Sequence, residues 1–192
     1  AGSRSKIHVC SWRWTPSKRS DLAYARALVS GYIAQVISDR VFYRSPSLVD
    51  VYNIMTGPPD QRDAIHGRMM ANKSCGGMAQ ATAVRVLEGI KSGGNEFQSV
   101  YVTAVEQMRW ISSLAMQNIL KKSTGRFSEM RDKPTSFYII LPSKMLDVRA
   151  QFLRLIVNCA FKDFKKGGKS PVEALFLIDE TYSLGYLREI QR

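Results

Sequence analysis

Apolar residues recur at every third or fourth position from residue 20 to about residue 122, and no stretch in that span alternates long enough to make a strand. A chain with this spacing can bury its apolar stripes only by packing helix on helix. The first helix is expected from Ser20, a good N-cap followed by Asp21, through Leu22, Ala25, Val29, Tyr32 and Val36 to about Ser38. A second starts at Ser45-Pro46-Ser47, carries Leu48, Val51, Tyr52 and Met55, and stops at Gly57-Pro58-Pro59. A third runs from Asp60 through Met70. After the break at Gly76-Gly77 a fourth helix carries Met78, Ala81, Val84 and Leu87 on one side and ends near Gly93-Gly94. Asn95 caps a fifth, with Val100, Val105 and Met108 on its apolar side. Trp110 marks a bend, and Leu114, Met116, Ile119 and Leu120 continue the helical spacing.

The pattern changes after Lys133-Pro134. Residues 135–141, Thr-Ser-Phe-Tyr-Ile-Ile-Leu, are aromatic and β-branched and read as a buried strand. An amphipathic helix follows with Phe152, Leu155, Ile156 and Cys159, ending in Lys162, Lys165, Lys166 and the turn Gly167-Gly168. Residues 172–178 read as a second buried strand. Strand, helix and strand in this order make a βαβ unit with parallel strands. The expected organisation is an extended segment over 1–19, an all-α domain over 20–134 and an α/β piece over 135–192, a mainly α fold.

The second strand runs through Leu175-Phe176-Leu177-Ile178 into Asp179-Glu180. In α/β sheets ligands bind at the carboxyl ends of the strands. An acid emerging there is placed to hold Mg²⁺ beside nucleotide phosphates, and a following glutamate to polarise the attacking water. This is a Walker B reading: Asp179 for Mg²⁺ and ATP, Glu180 for water activation. The plain alternative is that both acids cap the next turn. The other half of such a site, G-x-x-x-x-G-K-[ST], is missing. Gly168-Lys169-Ser170 comes nearest, but Asp163 stands where the first glycine belongs, and the loop follows a helix and enters a strand. The chain by itself is therefore expected to be inactive as an ATPase and to hold no cofactor tightly.

Charge narrows the partners. Lys and Arg number 28 against 16 Asp and Glu, a net +12. The excess suits nucleic acid, an acidic protein or an anionic membrane surface, or is a generally basic surface with no specific ligand. Lys162, Lys165, Lys166 and Lys169 are candidate contacts, or a solvated helix end favoured by the macrodipole. Trp12 and Trp14 among Arg4, Lys6, Arg13, Lys18 and Arg19 either stack on single-stranded nucleic acid or dock on their own domain. Cys10, Cys75 and Cys159 form no metal or disulfide spacing, so reduced thiols and no zinc site are expected. No apolar run approaches the ~18 residues of a membrane span, and no signal-peptide core stands at the N-terminus, so the chain as given is expected to be soluble.

Several segments in order resemble one family, the type IV secretion coupling proteins (TraG/TraD-like conjugation ATPases). Leu175-Phe176-Leu177-Ile178-Asp179-Glu180 with Leu184-Gly185 resembles its L-F-L-L-D-E-F-x-x-L-G pattern, departing at Thr181, where an aromatic is usual. Ser136-Phe137-Tyr138-Ile139-Ile140-Leu141-Pro142 resembles a strand ending in proline. Phe152-Leu153-Arg154-Leu155-Ile156 is similar to its L-x-R-L segment, and Tyr24-Ala25-Arg26-Ala27-Leu28-Val29-Ser30-Gly31 to its A-R-x-L-L-x-G helix. The resemblance covers most of residues 14–192. It implies an all-α domain inserted into a RecA-like nucleotide-binding domain, with this chain an excerpt that leaves out the phosphate loop and the membrane helices. It further implies an ATP- and Mg²⁺-dependent homo-hexamer anchored at the cytoplasmic face of the bacterial inner membrane. Such a protein recruits a relaxase–DNA complex, effector proteins or their adaptors for a secretion channel. The alternatives from the residues are a non-enzymatic basic nucleic-acid-binding module and another P-loop translocase or helicase.

Overall fold

A computed structural model describes residues 16–122, 125–140, 146–165 and 173–178. The chain divides into two compact units, Ala1–Met108 and Arg109–Arg192.

The first unit is built of helices α1 (Pro16–Ser38), α2 (Leu48–Thr56), α3 (Pro59–Ala71), α4 (Ser74–Ser92) and α5 (Asn95–Met108). α1 begins at Pro16 rather than at the Ser20 cap expected from sequence. Proline is well suited to that first position, because its missing N–H would be unpaired there anyway. Ser47 opens α2, and the Asp50 carboxylate accepts from its backbone N–H at 2.8 Å and from its hydroxyl at 2.9 Å. The break foreseen at Gly76-Gly77 is a left-handed turn. Cys75, Gly76 and Gly77 have φ of 52°, 67° and 73° before regular helix resumes. Gly93, at φ 61°, caps the other end of α4.

α1 is the centre of this unit, packing on α2, α4 and α5. Ala25, Leu28, Tyr32 and Val36 form its buried stripe. On α4 the buried residues are Ala79, Thr82, Ala83 and Val86, not the Met78, Ala81, Val84 and Leu87 side expected from sequence. The reason is close approach. A Cβ on Gly31 of α1 would lie 1.9 Å from the Thr82 hydroxyl, so α4 turns its small residues to α1 and leaves Met78 exposed. Polar groups in the core are paired across helices. Gln35, fully buried, donates to Asp39 at 2.9 Å and accepts from Asn72 at 2.7 Å. Tyr101 on α5 donates to the Met55 carbonyl at 2.6 Å and accepts from Arg62 at 3.2 Å.

The second unit opens with a 3₁₀ turn, Arg109–Ile111, at the bend foreseen around Trp110. α6 (Leu114–Leu120) follows, with Ser113 accepting from the Met116 N–H at 3.3 Å. A second 3₁₀ turn, Phe127–Arg131, packs on α7 (Leu146–Lys165). Ile111, Met116, Phe152 and Ala160 are buried, and the Trp110 and Phe152 rings lie 5.7 Å apart.

Of the expected βαβ unit, the helix is present, and the described residues show no strand. Residues 135–140 and 173–178 form no strand. Tyr138 and Ile140 are 85% and 86% exposed, and Leu175 and Leu177 are 84% and 90% exposed. A strand is held by its ladder, and the described residues contain no second strand to pair with. These apolar runs are therefore not buried as the sequence led one to expect.

Candidate functional site

The acids at the end of the second apolar run, Asp179 and Glu180, lie outside the described residues, as do Lys166, Lys169 and the tryptophans at 12 and 14. The approach to the acids is described. Along residues 173–178 exposed and half-buried positions alternate, with Ala174, Phe176 and Ile178 on the covered side. That is the period of an extended chain docked by one face. Phe176 makes the dock. Its ring stacks on Phe161 of α7 at 4.1 Å and 13°, and meets Phe164 edge-on at 6.4 Å.

Lys162 and Lys165 occupy the last turn of α7, where cations offset the negative end of the helix. Both are exposed. The Arg131 guanidinium donates to the Phe164 carbonyl in the same turn and lies 5.8 Å over the Phe164 ring. The basic cluster therefore gathers a member, Arg131, that the run of lysines alone did not reveal. It is brought in by the 3₁₀ turn, which carries no strong periodic signal.

The charge is unevenly distributed along the chain. Residues 21–108 hold eight basic and eight acidic side chains. Residues 109–192 hold fifteen and eight, and residues 1–20 hold five and none. The net +12 thus lies outside the body of the first unit.

Inside the first unit, His66 is 2% exposed and shares a 2.9 Å hydrogen bond through Nε2 with the Tyr32 hydroxyl. Burial lowers its pKa below the ordinary 6.5; Asp63 opposes that shift and Arg62 adds to it. Burial raises the Tyr32 hydroxyl well above its usual range, with Tyr101 adding to the rise. Neither partner gives up or takes a proton easily, so the pair is a structural clasp between α1 and α3. Arg68 grips Asp39 through two nitrogens, at 2.6–2.9 Å, and lies 4.9 Å over the Phe42 ring. These partners stand 29 and 34 positions apart, and no local pattern pairs them.

Several cavities open on this unit. One, of about 340 Å³, lies between α2 and α3, lined by Phe42, Tyr43, Ile54 and Arg62 among others. Another, of about 270 Å³, lies where α1, α4 and α5 meet. Among the described residues no helix is long and apolar enough to cross a membrane.

Comparison with known proteins places these features. The family model described as type IV secretory system conjugative DNA transfer matches residues 10–192. The conjugal transfer proteins TraG of Rhizobium radiobacter and of Agrobacterium fabrum are each 26% identical to this chain over 96 residues. A probable conjugal transfer protein TraG of Sinorhizobium fredii is 27% identical over 96 residues. Each match covers 50% of this chain and 15% of the relative, so the chain corresponds to a small part of those proteins. No solved structure matches.

Proposed function

The chain belongs to the type IV secretory system conjugative DNA transfer family, and from that premise we propose that it joins the all-α recognition domain of a coupling ATPase to the Walker B strand of its motor. The observation that carries this reading is the order of segments within the family match: a helical unit, an amphipathic helix, then an apolar run ending in Asp179-Glu180. The bare side of residues 173–178 supports it. Leu175 and Leu177 stand in solvent while Phe176 docks on α7, which is how a strand looks when the sheet beside it belongs to another part of a longer protein. Residues 135–140, with Tyr138 and Ile140 exposed, fit a second strand of the same RecA-like sheet.

Mg²⁺ takes oxygen ligands, commonly one or two carboxylates together with substrate phosphates, and Asp179 is a donor of that type. When bound, Mg-ATP supplies the phosphoryl group to be hydrolysed. Asp179 would hold the ion, and Glu180 would orient and polarise the attacking water. The phosphate loop comes from elsewhere in the longer protein, which we read as a membrane-anchored hexamer at the cytoplasmic face of the inner membrane. Its cargo is a relaxase–DNA complex or effector proteins, met directly or through adaptors. The helical unit recognises the protein component, and the basic second unit offers Lys162, Lys165, Lys166 and Lys169 to DNA or acidic partners.

The test is Glu180→Gln in the full-length protein. ATP binding should persist while turnover falls by about 10²–10⁴-fold, the usual range for a lost general base. Normal turnover would remove Glu180 from the mechanism. A complete gene lacking both a phosphate loop and membrane helices upstream of this region would remove the coupling-protein reading itself.

A further inference from the structure

The cavity of about 270 Å³ at the junction of α1, α4 and α5 has apolar walls and a charged rim. Tyr24 and Leu28 come from α1, Arg85 from α4, and Glu96 and Phe97 from α5. Its wall is built rather than incidental. Phe97 fits because α4 offers Gly89 beneath it: a Cβ there would meet the ring at 2.4 Å. Behind Phe97, the Tyr101 ring lies at 5.9 Å and is itself fixed by its hydrogen bond to the Met55 carbonyl. Ser99 ties α5 to Asp21 of α1 at 3.1 Å. Packing among α1, α4 and α5 therefore shapes the concave surface.

The rim differs from that of the cavity between α2 and α3. There, Arg68 is held by Asp39, and Asp50 by Ser47. Here Arg85 and Glu96 are both exposed and have no hydrogen bond or ion pair among the described residues. They lie on the same cavity, yet do not neutralise each other. Tyr24, 53% exposed, adds an amphipathic edge.

The size and the charge decide what fits. Its volume sits at the lower edge of the range of about 300 to 1,000 Å³ for pockets that enclose small molecules, and leaves room for one bulky side chain. A nucleic acid needs a run of cations along its backbone; the cavity offers one arginine beside one glutamate, on a unit whose charges balance over residues 21–108. A polypeptide can answer all three features at once.

We propose that this cavity is a docking site for a segment of a partner protein that inserts one bulky apolar side chain, aliphatic or aromatic. An acid of the same segment pairs with Arg85 and a base with Glu96. This rests on the reading of the helical unit as the part that recognises proteins, and makes the recognition element explicit. The anchor supplies the burial, and the two rim charges fix the direction in which the segment lies.

The test selects displayed random 12-residue peptides on the 192-residue chain, then measures the enriched peptides by fluorescence anisotropy. The expected peptides carry one bulky apolar residue with an acid and a base near it. Arg85→Glu and Glu96→Lys, both at exposed positions, should leave the melting temperature unchanged. Each should weaken binding by about tenfold. Joined in one chain, the two reversals should bind a peptide with its two charges exchanged. Tyr24→Ala should weaken every such peptide. Hydrogen exchange locates the bound peptide on the chain. Peptides that bind residues 21–108 but ignore both reversals overturn the pocket and leave the recognition reading standing. Peptides that bind only through residues 109–192 overturn both, and an empty selection overturns the pocket.

Discussion

The two units treat their apolar residues in opposite ways. In the first, large side chains such as Tyr32, Met55 and Met69 are fully buried, and Tyr32, Gln35 and Tyr101 hydrogen-bond to groups beyond their own helix, though His66 Nδ1 and Arg62 Nε have no partner among the described residues. Among the described residues of the second, Trp110, Ile111, Met116, Phe152 and Ala160 are buried, while Tyr138, Ile140, Leu175 and Leu177 are all more than four-fifths exposed. In the first unit only Val41, at 89%, is exposed to that degree among the described residues. Charge does not follow the same boundary: residues 21–108 balance, while residues 1–20 of the first unit carry +5 and residues 109–192 carry +7. A region that covers its own apolar surface can present a shaped recognition site. A region that leaves apolar runs bare has the surface of a piece that pairs with something else.

The largest test of that contrast sets Met69→Ala against Leu177→Ser in this chain. Met69 has no exposed surface, and its truncation should cost about 2–5 kcal/mol of unfolding free energy. Leu177 touches mostly solvent here, so Leu177→Ser should stay within about 0.5 kcal/mol. Urea midpoints read by circular dichroism measure both. A large loss at Leu177 would mean that residues 173–178 are already part of a folded core, and the contrast would fail. In the full-length protein the same Leu177→Ser should become costly, because the strand would there have a sheet to join.

The next effect concerns where nucleic acid binds. Replacing Lys162 and Lys165 together by alanine should lower the slope of log affinity against log salt by about 1.4 for a labelled single-stranded oligonucleotide, about 0.7 for each phosphate no longer neutralised. Arg85→Glu should leave that slope unchanged, since the cavity rim is not a phosphate surface. If the two outcomes are reversed, the division between a protein-reading and a charge-bearing unit is wrong.

How much of this could be read from the sequence depended on distance along the chain. The helices were legible because their signals are local: apolar spacing, Ser47 with Asp50, Gly93 after α4. The buried face of α4 was not, because the choice between Met78-Ala81-Val84-Leu87 and Ala79-Thr82-Ala83-Val86 is made by Gly31, on another helix. Apolarity favoured the first set and close packing the second. The strands could be read only in part, for a related reason. A run such as Leu175-Phe176-Leu177-Ile178 states that it will be buried, not by what, and the described residues supply only Phe161 and Phe164 on one side. Asp179 and Glu180 were legible only as a pair of acids closing an apolar run. The cavity was not, since Tyr24, Arg85 and Glu96 form no pattern until three helices meet.

His66 gives the smallest and most specific test, because it asks whether the first unit's interior is as dry as its packing implies. The imidazole is buried and held by Tyr32, and its pKa lies below the ordinary 6.5. The unfolded chain takes up that proton near 6.5, the folded one only at lower pH. Between those values the unfolded state binds more protons, so stability falls as pH drops below about 6.5. Above that pH this group contributes no slope. Urea midpoints measured from pH 8 down to 5 should show the decline, and His66→Gln should flatten it. The chain's other histidine, His8, lies outside the described residues, and His8→Gln separates its share. A pH profile that His66→Gln leaves unchanged would mean that His66 titrates as freely as in the unfolded chain. The contrast with the open second unit would then be one of shape alone, without a desolvated interior behind it.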